Sequence, residues 1–251
     1  MYNYRGSLYM LNVGNYILVR KIVETDFSAI YEAEHIVKET RVILKQSKDA
    51  RTNRMLQNEL KLYTYLRGSV PIPRLKASGL IGDKMYLVFE RMDRTLDQWK
   101  EDVSIHEMFS LLYALHEKGI VHRDLKPDNF IFGLNKKCHL LDLGLAAVQS
   151  NRKVKGFVGN RRYASYTCFE AEYEYRFADD VLSLVYILLE RKYGYLPWDK
   201  TTRPRKELDF AAFYPGEPLC ALEKIARSNK PLEQLYHALF EAISILIRDQ
   251  K

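Results

Sequence analysis

The amino-acid sequence predicts an α+β fold in two lobes, with strands dominating the first lobe and helices the second. Two observations support this class: β-branched and aromatic runs fill the first third of the chain, and apolar stripes at helical spacing fill the rest. No repeat, low-complexity tract or Gly/Ser/Pro-rich linker divides the 251 residues. We therefore expect one domain over residues 1–251, with lobes at about 14–91 and 92–248 and a ligand cleft between them.

The first lobe is predicted to contain five short strands and one helix. The strands are β-rich runs bounded by turn-forming residues, and they cover residues 16–23, 27–34, 40–45, 75–80 and 85–89. The helix is predicted over residues 53–66 because apolar side chains recur there at roughly helical spacing, and Gly68 ends it.

The second lobe is predicted to be helical. Helices are expected at residues 105–118, 178–191, 221–228 and 232–247, and glycines end the first two. The longest nearly apolar stretch, residues 181–189, has about half the length that a membrane span needs. The N-terminus lacks the layout of a signal peptide. We expect an intracellular protein, in the cytoplasm and/or the nucleus, with no membrane span.

Charge and cysteine content limit the partners and the compartment. The chain carries 39 basic and 32 acidic residues, and its net charge of +7 favours anionic partners: acidic or phosphorylated protein, nucleic acid or a lipid surface. Of these we expect protein, and not nucleic acid, to be the partner. The alternative is a solvated basic surface that aids solubility. Three cysteines without metal-ligand spacing predict reduced thiols inside a cell. The basic run at residues 203–206 is expected to be a loop, with a weak nuclear-localisation or nucleic-acid patch as the alternative.

Residues 122–129, with the sequence HRDLKPDN, carry the strongest chemical signal. Phosphoryl transfer needs a carboxylate that orients the attacking hydroxyl and accepts its proton, and Asp124 is placed for that role. Mg²⁺, which bridges nucleotide phosphates, prefers hard oxygen ligands such as Asn129 and Asp142. Lys126 can neutralise charge on the transferred group. The alternative is a polar turn with capping Asp and Asn side chains, which does not explain so long a match.

Residues 122–129 and the Asp-Leu-Gly at 142–144 resemble the catalytic loop and the metal-binding motif of eukaryotic-type protein kinases. Three further stretches are similar to the casein kinase I family: PDNFIFGL at 127–134, GNRRYAS at 159–165, and DDVLS at 179–183 with LPW at 196–198. The resemblance covers nearly the whole chain and weakens at residues 199–216. It implies a two-lobed kinase fold and a divergent, minimal Ser/Thr protein kinase that uses ATP and Mg²⁺.

The same resemblance assigns nucleotide-binding residues in the first lobe. Lys45, in the predicted strand VILK, would contact the α- and β-phosphates, and Glu59 on the following helix would hold it by an ion pair. Phe89 matches the gatekeeper position. Glu90 and Met92 would offer backbone groups to adenine.

The loop that covers the nucleotide departs from the family's pattern. Side chains replace its three glycines, and they restrict the approach of backbone amides to phosphate. Glu24 and Asp26 also add negative charge there. Ile43 replaces an alanine that packs on adenine, so its bulk should shrink the pocket. The nucleotide-binding positions assigned to the loop are Ile22, Val23, Glu24, Thr25, Asp26, Phe27, Ser28, Ala29 and Ile30.

Arg161 and Arg162 are predicted to form a substrate anion site. A basic cluster beside the catalytic carboxylate would suit acidic or already phosphorylated protein, and in casein kinase I the residue that matches Arg162 contributes to such a site. The alternative is a solvated basic loop. By the same resemblance Asp180 would anchor the catalytic loop, although it could instead be a carboxylate that interacts with a helix N-terminus.

Three functions remain open at the level of sequence. The polar groups that perform the chemistry are all present, so we expect an active, monomeric Ser/Thr protein kinase. The main alternative is a pseudokinase, a kinase-shaped binding scaffold, because of the glycine-free loop and Ile43. A small-molecule phosphotransferase of related shape is the third hypothesis. The GNRRYAS segment and the Asp180 helix argue against it, since they build a protein-substrate platform.

Overall fold

The structure, a computed structural model, describes residues 12–228 and 230–248. The chain divides into two compact units. The first unit runs through Arg67 and also takes up Ile72–Met92, and the second comprises Gly68–Pro71 and the chain from Asp93 onward. Strands dominate the first unit and helices the second, so the predicted α+β class with a strand-rich first lobe and a helical second lobe is confirmed.

The first unit is a six-stranded antiparallel sheet with one helix. The strand order is β1-β2-β3-β4-β6-β5, so only the last pair departs from the order in the chain. The elements are β1 Asn12–Val13, β2 Tyr16–Glu24, β3 Ser28–His35, β4 Arg41–Ser47, α1 Asn53–Tyr65, β5 Leu75–Ile81 and β6 Lys84–Glu90.

The alternation of side chains in β4 explains how this sheet presents its functional face. Val42 and Leu44 point into one core cluster, in which Ala33 and Val88 are also buried. Successive side chains in a strand point to opposite faces, so Ile43 and Lys45 lie on the other face. Helix α1 reaches that second face with the buried side chains of Leu56, Glu59, Leu62 and Tyr63.

The second unit contains five α-helices, four short 3₁₀-helices and six short strands within the described residues. The α-helices are α2 Ile105–Glu117, α3 Phe177–Tyr193, α4 Phe210–Phe213, α5 Leu219–Arg227 and α6 Leu232–Arg248. The strands form three antiparallel pairs, β7 with β10, β8 with β9, and β11 with β12. Their bounds are β7 Ile120–Val121, β8 Phe130–Phe132, β9 Cys138–Leu140, β10 Ala147–Val148, β11 Val154–Lys155 and β12 Glu172–Tyr173.

Helix α3 is the centre of the second unit. Every residue from 178 to 189 is buried, the polar Asp179, Asp180 and Ser183 included, so this helix lies inside the core on all its faces. Its end is set by Gly194, whose φ of 76° is a left-handed conformation that favours glycine. Helix α2 begins at Ser104, whose hydroxyl accepts a hydrogen bond from the Glu107 amide. None of the described helices is both long and apolar enough to cross a membrane.

Each strand and helix that the sequence predicts is observed, and its first and last residues differ from the predicted ones by at most two positions. The predictions omit α4 and the strands of two or three residues, which are too short to carry a periodic pattern. The three cysteines are buried free thiols. Burial raises the pKa of Cys138 and Cys168 to about 12 and that of Cys220 to about 11.

Candidate active site

The loop between β7 and β8, which carries the HRDLKPDN sequence, is fixed to α3 by Asp180. One Asp180 carboxylate oxygen accepts a hydrogen bond from the His122 amide at 2.7 Å, and the other accepts one from the Arg123 amide at 3.0 Å. The contact that the resemblance implied is therefore present. Because Asp180 is fully buried, these bonds are shielded from competing water.

Two more buried side chains complete the surroundings of Asp180. His116 of α2 donates from Nε2 at 3.0 Å, and Tyr175 donates its hydroxyl at 3.1 Å. Tyr236 of α6 in turn bonds to Nδ1 of His116 at 2.8 Å. Burial alone would raise the pKa of Asp180, but the His116 hydrogen bond and the other donors outweigh it and lower the pKa. The carboxylate is thus held in its ionised form.

The loop backbone is held in conformations that ordinary residues rarely adopt. Arg123 has a φ of 69° and Asp142 a φ of 56°, both left-handed, which costs about 1–2 kcal/mol per residue. Hydrogen bonds between the two segments offset this cost. The Arg123 Nε donates to the Leu145 carbonyl at 2.6 Å, and the His122 Nε2 donates to the Leu141 carbonyl at 2.9 Å.

Asp124 lies among groups that hold it in place and tune its basicity. Its carboxylate is 3.4 Å from Nζ of Lys126. The Asn129 amide nitrogen donates to the backbone carbonyl of Asp124 at 2.8 Å. Burial raises the pKa of Asp124, and the Lys126 ammonium acts against that rise. A carboxylate with a raised pKa is a stronger base than an exposed one, which suits proton abstraction.

Asn129 and Asp142 are brought together by the backbone. The Leu141 amide donates to the Asn129 carbonyl at 2.8 Å, so Asp142 follows directly after a residue bonded to Asn129. The Asn129 side-chain nitrogen faces Asp124, which directs the amide oxygen away from that residue. An amide oxygen and a carboxylate are the hard donors that Mg²⁺ prefers, so the residues fit the predicted metal.

In the first unit, the predicted ion pair between Lys45 and Glu59 is present. The Lys45 Nζ lies 2.8 Å from a Glu59 carboxylate oxygen, and both side chains are buried. Helix α1 places Glu59 on its buried face, above the same sheet face that carries Lys45. The pair therefore holds the Lys45 ammonium in place beside a buried carboxylate.

The predicted adenine-contacting residues lie on or next to the same face of the sheet. Ile43 and Phe89 are directly opposite each other in the β4–β6 register, and Phe89 packs on Tyr63 of α1 at a ring distance of 4.7 Å. The Glu90 amide donates to the Arg74 carbonyl at 3.0 Å. Glu90 can therefore offer a ligand its carbonyl but not its N–H. Met92, which ends the first unit, is half-buried.

The glycine-free loop is a closed turn between β2 and β3. The Thr25 hydroxyl accepts hydrogen bonds from the amides of Phe27 and Ser28 at 3.3 and 3.1 Å, and the Thr25 amide donates to the Ser28 carbonyl at 2.9 Å. Three amides of the loop are therefore used inside the turn, two of them by the Thr25 hydroxyl. Sequence reasoning predicted restricted access to these amides and missed their direct capture by Thr25.

The charge of Glu24 is balanced within the first unit. Its carboxylate pairs with Lys48 of the segment after β4 and with Lys21 at 2.5 Å. The negative charge that Glu24 adds to the loop is therefore compensated by two lysines of the same unit. Sequence order gave no sign of the Lys48 pair, because the two residues are brought together only by the β2–β3–β4 hairpins. Asp26 is exposed at the tip of the turn.

Arg162 is engaged by two carboxylates of its own unit. Its guanidinium bonds to Glu190 at 2.6 Å through Nε and to Asp199 at 3.0 and 2.8 Å through Nη1 and Nη2. Glu190 also accepts the Tyr163 hydroxyl. The physical basis for an anion site at Arg162 is removed, because two carboxylates surround its single positive charge and would repel an incoming anion. Arg161 is exposed and lies 4.5 Å above the Phe157 ring.

The GNRRYAS segment is tied to the catalytic loop by Gly159. Gly159 has a φ of 99°, and a Cβ built on it would overlap the carbonyl oxygen of Arg123. Only glycine permits this approach. At the next position Asn160 accepts the Arg162 amide at 2.8 Å.

Comparison with known families agrees with this arrangement. A family model described as "Protein kinase domain" matches residues 16–214, which is more than half of the chain. The match begins in β2 and ends just after α4, so it takes in parts of both units.

Proposed function

The chain belongs to the protein kinase family, and from this membership we propose that it is an active Ser/Thr protein kinase that transfers the γ-phosphate of ATP to protein hydroxyls. The observation that carries the proposal is the Asp124 carboxylate. It lies beside Lys126 on a loop that Asp180 holds through two backbone amides. A binding scaffold has no need of a base and a cation in this relation.

In the proposed reaction, residues of the second unit act on the attacking group. Asp124 accepts the proton as the substrate hydroxyl oxygen bonds to the γ-phosphorus and the bond to the β–γ bridging oxygen breaks, releasing ADP. Lys126 stabilises the negative charge of the transferred group. Asn129 and Asp142 would hold Mg²⁺, which when bound neutralises charge on the phosphates.

Residues of the first unit act on the nucleotide. Lys45, held by its ion pair with Glu59, would contact the α- and β-phosphates. Ile43 and Phe89 would border adenine, and Glu90 and Met92 would offer it backbone groups. The loop from Ile22 to Ile30 contributes less than a glycine-rich loop, since Thr25 already occupies two of its amides. We expect the bound nucleotide to depend mainly on Lys45 and the metal.

The closed Thr25 turn also supports the second candidate, a pseudokinase scaffold. A loop that satisfies its own amides offers fewer donors to phosphate, and Ile43 narrows the place of adenine. Against this, the groups for transfer are retained: Lys45, Glu59, Asp124, Lys126, Asn129 and Asp142. Transfer activity decides between the two functions.

The test is incorporation of γ-phosphate from ATP with Mg²⁺ into casein and into a primed acidic peptide. Asp142→Asn serves as the control, because it removes the carboxylate proposed for the metal and retains the shape of the side chain. We expect incorporation by the wild type and at least about a hundredfold less by the variant. Wild-type incorporation no higher than that of Asp142→Asn, even at millimolar ATP, would establish the scaffold.

We expect kcat/KM to fall on the acidic side at a higher pH than an ordinary aspartate would cause. Asp124 must be deprotonated to act as a base, and burial raises its pKa, so activity is lost as the pH falls through that raised value. Lys126→Gln removes a cation that lowers the pKa of Asp124. The residual activity of this variant should therefore begin to fall at a still higher pH as the solution is made more acidic. The measurement is kcat/KM against pH for both proteins. An acidic limb at the same pH in both would assign it to another group.

Thr25→Gly is expected to lower the KM for ATP about fivefold. The variant removes the hydroxyl that bonds to the amides of Phe27 and Ser28, which then become available to phosphate oxygens. A hydrogen bond of about 1 kcal/mol gives this factor. Thr201→Gly is a matched control, because the Thr201 hydroxyl likewise accepts a nearby amide, that of Arg203. A rise in KM for Thr25→Gly would show that the closed turn itself orients the nucleotide.

The finer type, casein kinase I, and its preference for acidic or already phosphorylated substrates are part of the proposal. Arg152, Lys153 and Arg161 are exposed in the loop after Asp142, and this basic surface supports the proposed substrate preference. Arg162 is not assigned to it, since two carboxylates hold its guanidinium. We further propose that the protein acts as a monomer inside the cell.

A further inference from the structure

The basic run at residues 203–206 has a structural role that its sequence does not show. Pro204 precedes a turn of 3₁₀-helix over Arg205–Glu207, and the two arginines of the run then differ. Arg203 is exposed, whereas Arg205 is half-buried and turns its guanidinium inward. The run is therefore not a uniform basic patch.

The Arg205 guanidinium reaches the backbone of the GNRRYAS segment. Its Nη1 donates to the Ala164 carbonyl at 2.5 Å and its Nη2 to the Arg161 carbonyl at 2.6 Å. The same planar group lies 3.6 Å above the Trp198 ring and 4.7 Å from that of Phe169. Stacking on the aromatic rings fixes the plane of the guanidinium. Its two terminal nitrogens, Nη1 and Nη2, then fix the distance between the Ala164 and Arg161 carbonyls.

Arg205 is itself held by a second arginine. Arg227 of α5 donates to the carbonyls of Arg205 and Lys206 at 3.2 and 3.1 Å, and its Nε bonds to Glu223. Burial lowers the pKa of Arg205 to about 10, so it keeps its charge and its donors at neutral pH. The contacts to the segment are thus charge-assisted hydrogen bonds from an anchored donor.

The segment is fixed in two ways. Its first residue, Gly159, fits beneath the Arg123 carbonyl, and Arg205 holds the carbonyls of Arg161 and Ala164 further along. We propose that Arg205 is a positioning residue that sets the GNRRYAS segment for protein substrate. The role extends the proposed function and rests on it. Arg205 acts through the segment backbone and not by touching the reacting atoms.

The kinetic test separates binding of protein substrate from binding of nucleotide. Arg205→Lys keeps the charge but lacks the plane and the fork, so we expect about a tenfold higher KM for peptide and an unchanged KM for ATP. Partial misfolding lowers kcat for every substrate and leaves both KM values in place, which makes the KM ratio diagnostic. Arg203→Lys, the same change two residues earlier on an exposed side chain, should leave both KM values unchanged.

The structural test does not depend on activity. Hydrogen exchange is followed at the Arg162 and Ala164 amides, which both bond to Asn160, and at the amides of α3. In Arg205→Lys we expect about tenfold faster exchange at the first two amides alone. Arg205→Met, which removes all the donors, should increase the exchange rate at these two amides further. If that variant does not fold, Arg205→Lys alone tests the proposal.

The outcomes separate the two proposals. The wild-type protein could show no phosphoryl transfer while Arg205→Lys shows faster hydrogen exchange at the Arg162 and Ala164 amides alone. That result would refute the protein kinase activity and would still support the role of Arg205 in holding the segment. Wild-type exchange together with an unchanged peptide KM in Arg205→Lys would overturn the positioning role. Faster exchange throughout α3 would overturn it as well, since Arg205 would then support the whole unit.

Discussion

Asp180→Asn is expected to destabilise the second unit by about 3–5 kcal/mol, because it leaves buried donors without their acceptor. The carboxylate accepts from His122, Arg123, His116 and Tyr175, with two donors at each oxygen. An amide has one acceptor oxygen, so its NH₂ group must face two of these donors. The measurement is urea unfolding followed by tryptophan fluorescence.

The same substitution should reduce phosphoryl transfer by at least about a hundredfold, since the left-handed Arg123 loses support and Asp124 moves with it. Asp102→Asn is the matched control: the same change at an exposed position should leave stability and transfer within error. If Asp180→Asn retains wild-type transfer, the loop is held by other contacts and Asp180 is not its anchor.

Lys45→Met is expected to destabilise the first unit by about 3–5 kcal/mol and to reduce transfer by about 10²–10³-fold. The substitution leaves Glu59, which is 2% exposed, as a buried carboxylate without its cation. Transfer falls because Lys45 is proposed to stabilise phosphate charge. Both tryptophans, Trp99 and Trp198, lie in the second unit, so unfolding of the first must be followed by circular dichroism.

A double-mutant cycle isolates the pair. Glu59→Leu alone should also destabilise, whereas Lys45→Met with Glu59→Leu should cost less than the sum of the two, because no buried charge remains. Lys61→Met is the control, an exposed lysine on the same helix as Glu59. Additive effects would show that the two charges do not depend on each other for stability.

Much of the fold could be predicted because its signals are local. Helix α1 and strand β4 follow from the spacing of apolar residues, and the end of α3 follows from Gly194. The groups of the HRDLKPDN loop were also predictable, since eight adjacent positions carry one chemical pattern. The protein kinase family could be predicted for the same reason, since the motifs that indicate it are short and continuous in sequence.

The remaining features depend on residues that are distant in sequence. The contacts of Arg162 with Glu190 and Asp199 span 28 and 37 positions, and those of Arg205 with Arg161 and Ala164 span 44 and 41. An arginine near an active loop looks the same in sequence whether it faces solvent or a carboxylate. The sequence therefore predicts a substrate contact for Arg162 and an ordinary loop position for Arg205.

The buried thiols divide the chemical reactivity of the chain between its two units. Alkylation and oxidation require the thiolate, and pKa values of about 11 to 12 keep all three cysteines protonated at neutral pH. Cys138, Cys168 and Cys220 all belong to the second unit. The rate at which a thiol reagent labels the unmodified protein therefore reports how often the helical unit opens. The strand-rich unit has no cysteine, so the reagent does not report on its opening.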